Sequence, residues 1–167
     1  MTPTIWQPET AARPRTRAGC KEQRGFSLIE LFITIGIVAI GMTIALSAYK
    51  NFSDRADNSD AVADITVASI DVERFFTLNG EYPDSLAEVG FVKKDPWGND
   101  YQYWNHGKST GNGMLRKDKG TVPINSDFDL YSMGEDGNTS TPLTSATGRD
   151  DIVRGSNGDF IGAAADY

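Results

Sequence analysis

The feature that most limits what this chain can fold into is an uncharged run of 19 residues, 31–49, most of them apolar. A helix of that length is long enough to cross a hydrocarbon layer of about 30 Å. No other stretch of the 167 residues comes close. The sequence therefore predicts one membrane-spanning helix and one domain outside the membrane.

The charges on the two sides of this run differ. Residues 1–25 carry five basic side chains against two acidic ones. A basic flank before the first span predicts that the N-terminus stays in the cytoplasm and that the C-terminal part is exported. From Phe26 onward there are 11 Lys and Arg against 21 Asp and Glu, a net charge of −10. An acidic domain argues against binding to nucleic acid or to anionic lipid.

Cysteine use also separates the two sides. The one cysteine, Cys20, precedes the apolar run. The exported part therefore has no disulfide, although its compartment would permit one. Its stability must come from packing or from a metal ion.

Glu30 lies just before the apolar run. An unpaired carboxylate there costs on the order of 2.5–3.5 kcal/mol on insertion scales, so its position needs an explanation. One interpretation is that the Glu30 carboxylate only reaches back to the membrane edge. The other interpretation is that Glu30 has a charged partner, and this depends on whether the chain is made as a precursor and where it is cut.

Three kinds of targeting segment are compatible with residues 1–49. A secretory signal would have a small-residue cleavage site after the apolar run. Ala45, Ser47 and Ala48 are small, but the run is longer than the usual apolar region of such signals. A lipoprotein signal ending at Cys20 lacks an apolar stretch before the cysteine. Cleavage between Gly25 and Phe26 would leave the span on the mature protein, with a free amine at its start.

The stretch "RGFSLIEL" at 24–31 resembles the processing site of type IV pilins and type II secretion pseudopilins. That family has a basic residue, Gly, a hydrophobic first mature residue and Glu at mature position five, which is Glu30 here. The resemblance implies that a membrane peptidase removes residues 1–25, cutting after Gly25, and methylates the amine of Phe26. Glu30 would then pair with the amine of a neighbouring subunit in a fibre, since a paired buried charge is tolerated and an unpaired one is not.

Two features depart from this family pattern. The leader is longer than the short leaders that are common in the family. Ser47 stands where many members have a proline that loosens the helix, and Gly36 and Gly41 are alternative weak points.

The helical pattern continues beyond the apolar run. Positions on one face recur at spacings of 3 and 4, at Val62, Ile65, Ser69, Val72 and Phe76. This spacing is typical of an amphipathic helix. No Pro or Gly occurs between Gly41 and Gly80, so we predict one helix over residues 26 to about 78. Its first half, 26–49, would span the membrane, and its second half, 50–79, would pack on the domain.

Within that second half, Val72, Phe75 and Phe76 are expected to hold the globular domain, residues 80–167, on the helix. Ser85 and Glu88 have the spacing of a capping box, and Gly90 would end the short helix that follows.

The rest of this domain reads as strands and turns. "DPWG" at 95–98 predicts a type I turn. "YQYW" at 101–104 and "FDLYSMG" at 128–134 predict strands, with 114–116 and 121–124 as shorter candidates between them. We expect an α+β fold, in which the long helix packs on a small antiparallel sheet, followed by a loop-rich C-terminal region.

A second resemblance narrows the family. Tyr82-Pro83, "DPWGN" at 95–99, "DLYS" at 129–132 and Asp136-Gly137 occur in the order found in the major pseudopilin of type II secretion. It implies a pilin-like fold and a subunit that self-assembles into a helical pseudopilus. The implied partners are the prepilin peptidase and methyltransferase, an inner-membrane assembly platform and minor pseudopilins. A type IV pilus subunit and a single-span periplasmic enzyme or binding protein are the alternatives.

The same resemblance implies a calcium ion in the loop after the 128–134 strand. Its ligands would be Leu130, Ser132, Asp136, Asp150 and Asp151. Calcium takes six to eight oxygen ligands from carboxylates and carbonyls on a flexible loop. The alternative is a solvated acidic loop without an ion. The family's short Gly-rich loop is replaced here by "NTSTPLTSATGR" at 138–149, so the choice of aspartates stays open.

Catalysis has few candidate residues. The part after the span has no cysteine and one histidine, His106, within a Gly- and Asn-rich stretch. We expect His106 to be a solvated loop residue rather than a catalytic base, and we expect no enzymatic activity.

Overall fold

The computed structural model describes residues 25–108 and 115–167. Its longest element is the helix α1, Leu28–Asn79. The predicted single helix is confirmed, with both ends within two residues of the prediction. The N–H of Gly80 donates to the carbonyl of Phe76 at 2.8 Å, and Gly80 has φ +78°. A left-handed glycine ends the helix in the common way.

The described part of the chain divides into two units, residues 25–43 and Ile44–Tyr167. Every described residue of the first unit is exposed. Of the helices in the described ranges, α1 is the one long and apolar enough to cross a membrane. Exposing a large apolar side chain to water forgoes about 1.5–3 kcal/mol, so this segment requires a nonaqueous environment.

The second half of α1 buries one face against the domain. The buried positions on that face are Ala61, Ile65, Ala68, Ser69 and Val72. The predicted core role of Val72 is thereby confirmed. Phe75 is half-buried, and Phe76 is 40% exposed and stacks on Tyr82 with ring centroids 4.4 Å apart.

The segment after α1 is a short 3-10 helix, Leu86–Val89, which Gly90 ends at φ +79°. The predicted capping box between Ser85 and Glu88 does not form. The Ser85 side chain makes no capping hydrogen bond, because the Glu88 N–H goes to the Ser85 carbonyl at 3.2 Å. The carboxylate of Glu88 accepts from the Asp84 N–H at 3.1 Å.

The predicted turn at 95–98 is present. The Gly98 N–H donates to the Asp95 carbonyl at 2.9 Å, and the Asn99 N–H donates to the Asp95 side chain at 2.7 Å. The turn directs the chain into the first strand.

In the part of the chain that the structure describes, four antiparallel strands form one sheet in the order β1-β2-β3-β4. They are β1 (Gln102–Asn105), β2 (Phe128–Ser132), β3 (Ile152–Gly155) and β4 (Phe160–Ala163). The strands predicted at 101–104 and 128–134 are confirmed as β1 and β2. The sequence analysis missed β3 and β4, since each is only four residues long and β3 contains a buried arginine.

The shorter strand candidates between β1 and β2 do not form strands in the described residues, and Met114 lies outside those residues. Asp118 and Thr121 form an isolated bridge. The Ile124 N–H donates to the Arg116 carbonyl at 3.1 Å. The segments around Arg116 and Ile124 are therefore joined by backbone hydrogen bonds, but they do not form a continuous pair of strands.

The sheet has an apolar cluster on each face. Leu130 and Ile152 belong to the cluster against α1, whereas Tyr131 and Val153 contact the cluster that contains Leu143. Neighbouring residues of a strand point to opposite faces, so the second cluster lies on the face away from α1. The α+β prediction is confirmed. The loop 138–149 covers the second face through Leu143.

Candidate functional site

The residues of the predicted processing site lie at the beginning of α1. Gly25, Phe26 and Ser27 precede the helix, and Glu30 is in its first turn. The Leu31 N–H donates to the Ser27 carbonyl at 3.0 Å. All are exposed, Phe26 by 80%. The residues on both sides of the bond between Gly25 and Phe26 are therefore exposed.

Glu30 follows Phe26 by four residues, which is one helical turn. A carboxylate in the first turn interacts favourably with the positive end of the helix dipole. Cleavage after Gly25 would add a second positive group there, the amine of Phe26. The start of α1 thus favours an acidic side chain before and after processing. The basic residues of the leader, Arg13 to Arg24, lie outside the described residues.

A buried arginine on β3 joins α1 to the sheet. The guanidinium of Arg154 donates to Asp127 Oδ2 at 2.7 Å and to Glu73 Oε1 at 3.1 Å. It also lies 4.0 Å from the centre of the Phe128 ring. Burial acts to raise the pKa of Asp127, but hydrogen bonds from Arg154 and the Phe128 N–H lower it below its ordinary value. Asp127 is therefore an ionised partner of Arg154.

A second buried arginine lies on the other side of the sheet. Arg116 donates through Nη2 to Asp151 Oδ2 and through Nη1 to Thr139 Oγ1 at 2.6 Å and the Ser140 carbonyl at 3.0 Å. Its guanidinium stacks on Tyr131 at 4.0 Å. The side chain of Arg116 is 3% exposed and that of Asp151 is 0% exposed. Arg116 thus compensates a fully buried carboxylate.

Comparison with known proteins identifies a motif over the same N-terminal residues. The family model described as "Prokaryotic N-terminal methylation motif" matches residues 20–46. Type II secretion system core protein G of Vibrio cholerae is 28% identical over 138 residues, covering 70% of this chain and 84% of that protein. Core protein G of Escherichia coli is 27% identical over 142 residues, covering 72% and 87%.

The chain is therefore similar to proteins with this methylation motif at its N-terminus, and to core protein G through most of its length. A fimbrial protein of Neisseria meningitidis is 37% identical over 68 residues, which is 41% of this chain and 40% of that protein. The likeness to core protein G extends through most of the chain, whereas this likeness to a pilin covers less than half. No solved structure matches the chain.

The predicted calcium ligands lie in two places. Asp136 and Asp150 are neighbours, since the Asp136 N–H donates to Asp150 Oδ2 at 3.2 Å. Oδ1 of Asp136 also accepts from the Asn138 N–H at 2.7 Å. Both carboxylates thus have backbone partners at the surface end of the loop.

The other predicted ligands have different partners. The Ser132 hydroxyl donates to Asp95 Oδ2 at 2.6 Å, and Leu130 is paired with Tyr103 in the sheet. Asp151 Oδ2 is occupied by Arg116 and by Thr139. Within residues 25–108 and 115–167, no group of three or more His, Cys, Asp or Glu side chains could hold a metal ion. The described fold therefore does not bring the five predicted ligands together, and calcium binding stays a prediction.

The expectation that His106 is solvated is wrong. Its side chain is 10% exposed, and its Nε2 lies 3.1 Å from Asp129 Oδ2. The reason is that the chain after β1 folds back on β2, where the His106 N–H donates to the Asp127 carbonyl at 3.2 Å. Asp129 also accepts from the Arg116 N–H at 3.1 Å. His106 is therefore part of the packed domain.

Sequence reasoning missed the roles of Arg116 and Arg154. One signal was available for each, since an arginine follows an apolar residue in Leu115-Arg116 and in Ile152-Val153-Arg154. An arginine that directly follows a buried apolar residue is a candidate for a buried ion pair. The partner of each arginine, however, was not predictable from local sequence.

Proposed function

We propose that this chain is a structural subunit of a periplasmic pseudopilus, a fibre that helps to drive protein secretion across the outer membrane. It is made as a precursor, cut after Gly25 and N-methylated at Phe26. The observation that carries this proposal is the methylation motif at residues 20–46, followed by an exposed apolar helix with Glu30 in its first turn. The extended likeness to core protein G supports secretion as the process.

The exposed first half of α1 supports assembly into a fibre. Its apolar residues require lipid before assembly and neighbouring helices afterwards. Small residues such as Gly36 and Gly41 are exposed, with nothing near the position of an added Cβ. Small residues permit close helix approach. Repeated head-to-tail contacts whose rotation does not close generate a helical filament.

The proposed topology is a single pass through the inner membrane, with the N-terminus in the cytoplasm and the globular domain in the periplasm. The basic residues before the apolar run support this orientation. The proposed partners are the prepilin peptidase and methyltransferase, the inner-membrane assembly platform and minor pseudopilins. The subunit itself has no enzymatic activity in this proposal.

A type IV pilus subunit is the second candidate, favoured by the likeness to the meningococcal fimbrial protein. The two functions share processing and assembly and differ in what the fibre does. Secreted proteins in the medium and fibres on the cell surface therefore distinguish them.

The test is Gly25→Ala, expressed in the native host and examined by mass spectrometry of the membrane fraction. We expect the uncut precursor to accumulate, and secreted proteins to disappear from the medium. Gly36→Ala is the matched control for cutting alone and should be cut normally, because it adds the same methyl group beyond the processing site with nothing within 4 Å. Normal cutting of Gly25→Ala would refute the processing site. Loss of surface pili with normal secretion would favour the second candidate.

A further inference from the structure

The loop 138–149 is attached to the segment around Arg116 by backbone and side-chain contacts. The Lys117 N–H donates to the Thr141 carbonyl at 3.0 Å, and the Leu143 N–H donates to the Lys117 carbonyl at 3.0 Å. These two bonds align the loop beside residues 115–118. Neither of these bonds involves Asp151, the carboxylate beneath the loop, so another residue must compensate its charge.

Asp151 is fully buried, and a buried carboxylate needs a positive partner and hydrogen bonds. Arg116 supplies the charge, and the Thr139 hydroxyl adds a hydrogen bond to the same oxygen at 2.6 Å. The planar guanidinium suits this task because it presents several donors in a fixed geometry. It contacts the carboxylate and the loop at once.

We propose that Arg116 takes the place of a metal ion in this domain. Its guanidinium neutralises Asp151 and binds Thr139 and Ser140, so the loop is held in position without calcium. The loop 138–149 that departs from the family pattern is the segment that contributes these two residues. The loop and the arginine therefore act as one unit.

The positive charge of Arg116 also opposes the entry of a cation. A divalent ion beside Asp151 would have to displace the guanidinium or lie next to it, and like charges at short range repel. Asp151 Oδ1 is buried and has no hydrogen-bond partner among the described residues. That oxygen is the one place on Asp151 where a cation could still bind, and the experiment examines it.

The experiment uses the mature chain, residues 26–167, purified in detergent. Thermal unfolding is followed by circular dichroism in calcium chloride and in excess chelator, and calcium binding is measured by calorimetry. We expect the same melting temperature in both solutions and no calcium binding. A melting temperature that rises with calcium, or a calorimetric calcium site, would overturn the proposal.

Variants of the arginine test its role directly. Arg116→Met should lower the melting temperature by several degrees in both solutions, and Arg116→Met with Asp151→Leu should recover part of that loss, because no buried charge is left unpaired. The control is Arg149→Met, an exposed arginine of the same loop, which should change little. An unchanged melting temperature for Arg116→Met would contradict the proposal. If that variant does not fold, the calorimetry on the unmodified chain still decides.

Discussion

In the first half of α1, residues 28–49, every side chain is exposed, whereas in the globular domain Arg116 and Arg154 are 3% and 2% exposed. The apolar segment has its hydrophobic groups where none of residues 25–108 and 115–167 covers them. The domain has charged groups where water does not reach, and it compensates them with its own carboxylates. The first region therefore depends on other molecules for its stability, and the second depends on internal contacts.

This comparison separates two kinds of mutational effect. Changes in the first half of α1 should alter assembly and leave the folding of the domain unchanged. Changes in the buried ion pairs should alter folding and reduce assembly only through the loss of folded protein.

The largest effect is expected for Glu30→Ala. The variant should still be cut after Gly25, but the yield of fibres should fall at least about tenfold, because an amine left unpaired in a buried site costs about 3–5 kcal/mol. Fibre yield is measured by shearing and immunoblotting, and domain stability by thermal unfolding.

Glu81→Ala is the matched control, since Glu81 is an exposed residue of the domain with one distant ion pair to Lys108, 3.9 Å long. Its fibre yield should be normal. Normal fibres from Glu30→Ala would remove the pairing explanation for that carboxylate.

The next effect is expected for Arg154→Met. Removing the guanidinium leaves Asp127, whose side chain is 13% exposed, without its charge partner. We expect a loss of about 3 kcal/mol in the free energy of unfolding, measured by urea denaturation. The double variant with Asp127→Asn should recover part of that loss. Equal free energies of unfolding for Arg154→Met and for the double variant would show that Arg154 and Asp127 are not coupled.

A smaller effect is expected from acid. The pKa of Asp127 is lowered in the folded protein despite its burial, through hydrogen bonds from Arg154 and the Phe128 N–H. The corresponding stabilisation is complete above the unfolded pKa, about 3.9, and is lost as the pH falls through the folded pKa. Asp127→Asn should therefore be destabilised at neutral pH and should lose less stability on acidification. Parallel pH curves for the two proteins would disprove this linkage.

The smallest effect is expected for Asp136→Ala. Asp136 is exposed, and such substitutions usually change stability by less than about 0.5 kcal/mol. The melting temperature should change equally in calcium and in chelator. A loss seen only with calcium present would instead support the calcium ion that the family resemblance implies, with Asp136 as a ligand.

Several parts of the molecule were predictable because their signals are local. The helix α1 follows from its spacing of apolar residues and from the absence of Pro and Gly between Gly41 and Gly80. The turn at 95–98 and the end of the 3-10 helix at Gly90 follow from residues within a few positions of one another. The processing motif is also local, since Gly25 and Glu30 are five residues apart.

Other parts depend on residues that are far apart in the sequence. Arg154 contacts Glu73 across 81 positions, and Arg116 contacts Asp151 across 35. β3 and β4 are four residues each and are stabilised by pairing with one another and by the pairing of β3 with β2. Short strands have weak local preference, because pairing and burial decide their stability.

The sequence by itself determined the long helix, the apolar segment that needs another environment, and the processing motif, because periodicity and spacing along one chain carry that information. Only the tertiary structure decided which charges are buried and with what partners. The acidic loop looked like a set of ligands in the sequence. In the fold, Asp151 is directed to Arg116, while Asp136 and Asp150 remain near the surface. A carboxylate in a protein interior takes the positive group that packing brings to it, and that group is not encoded by its neighbours in the chain.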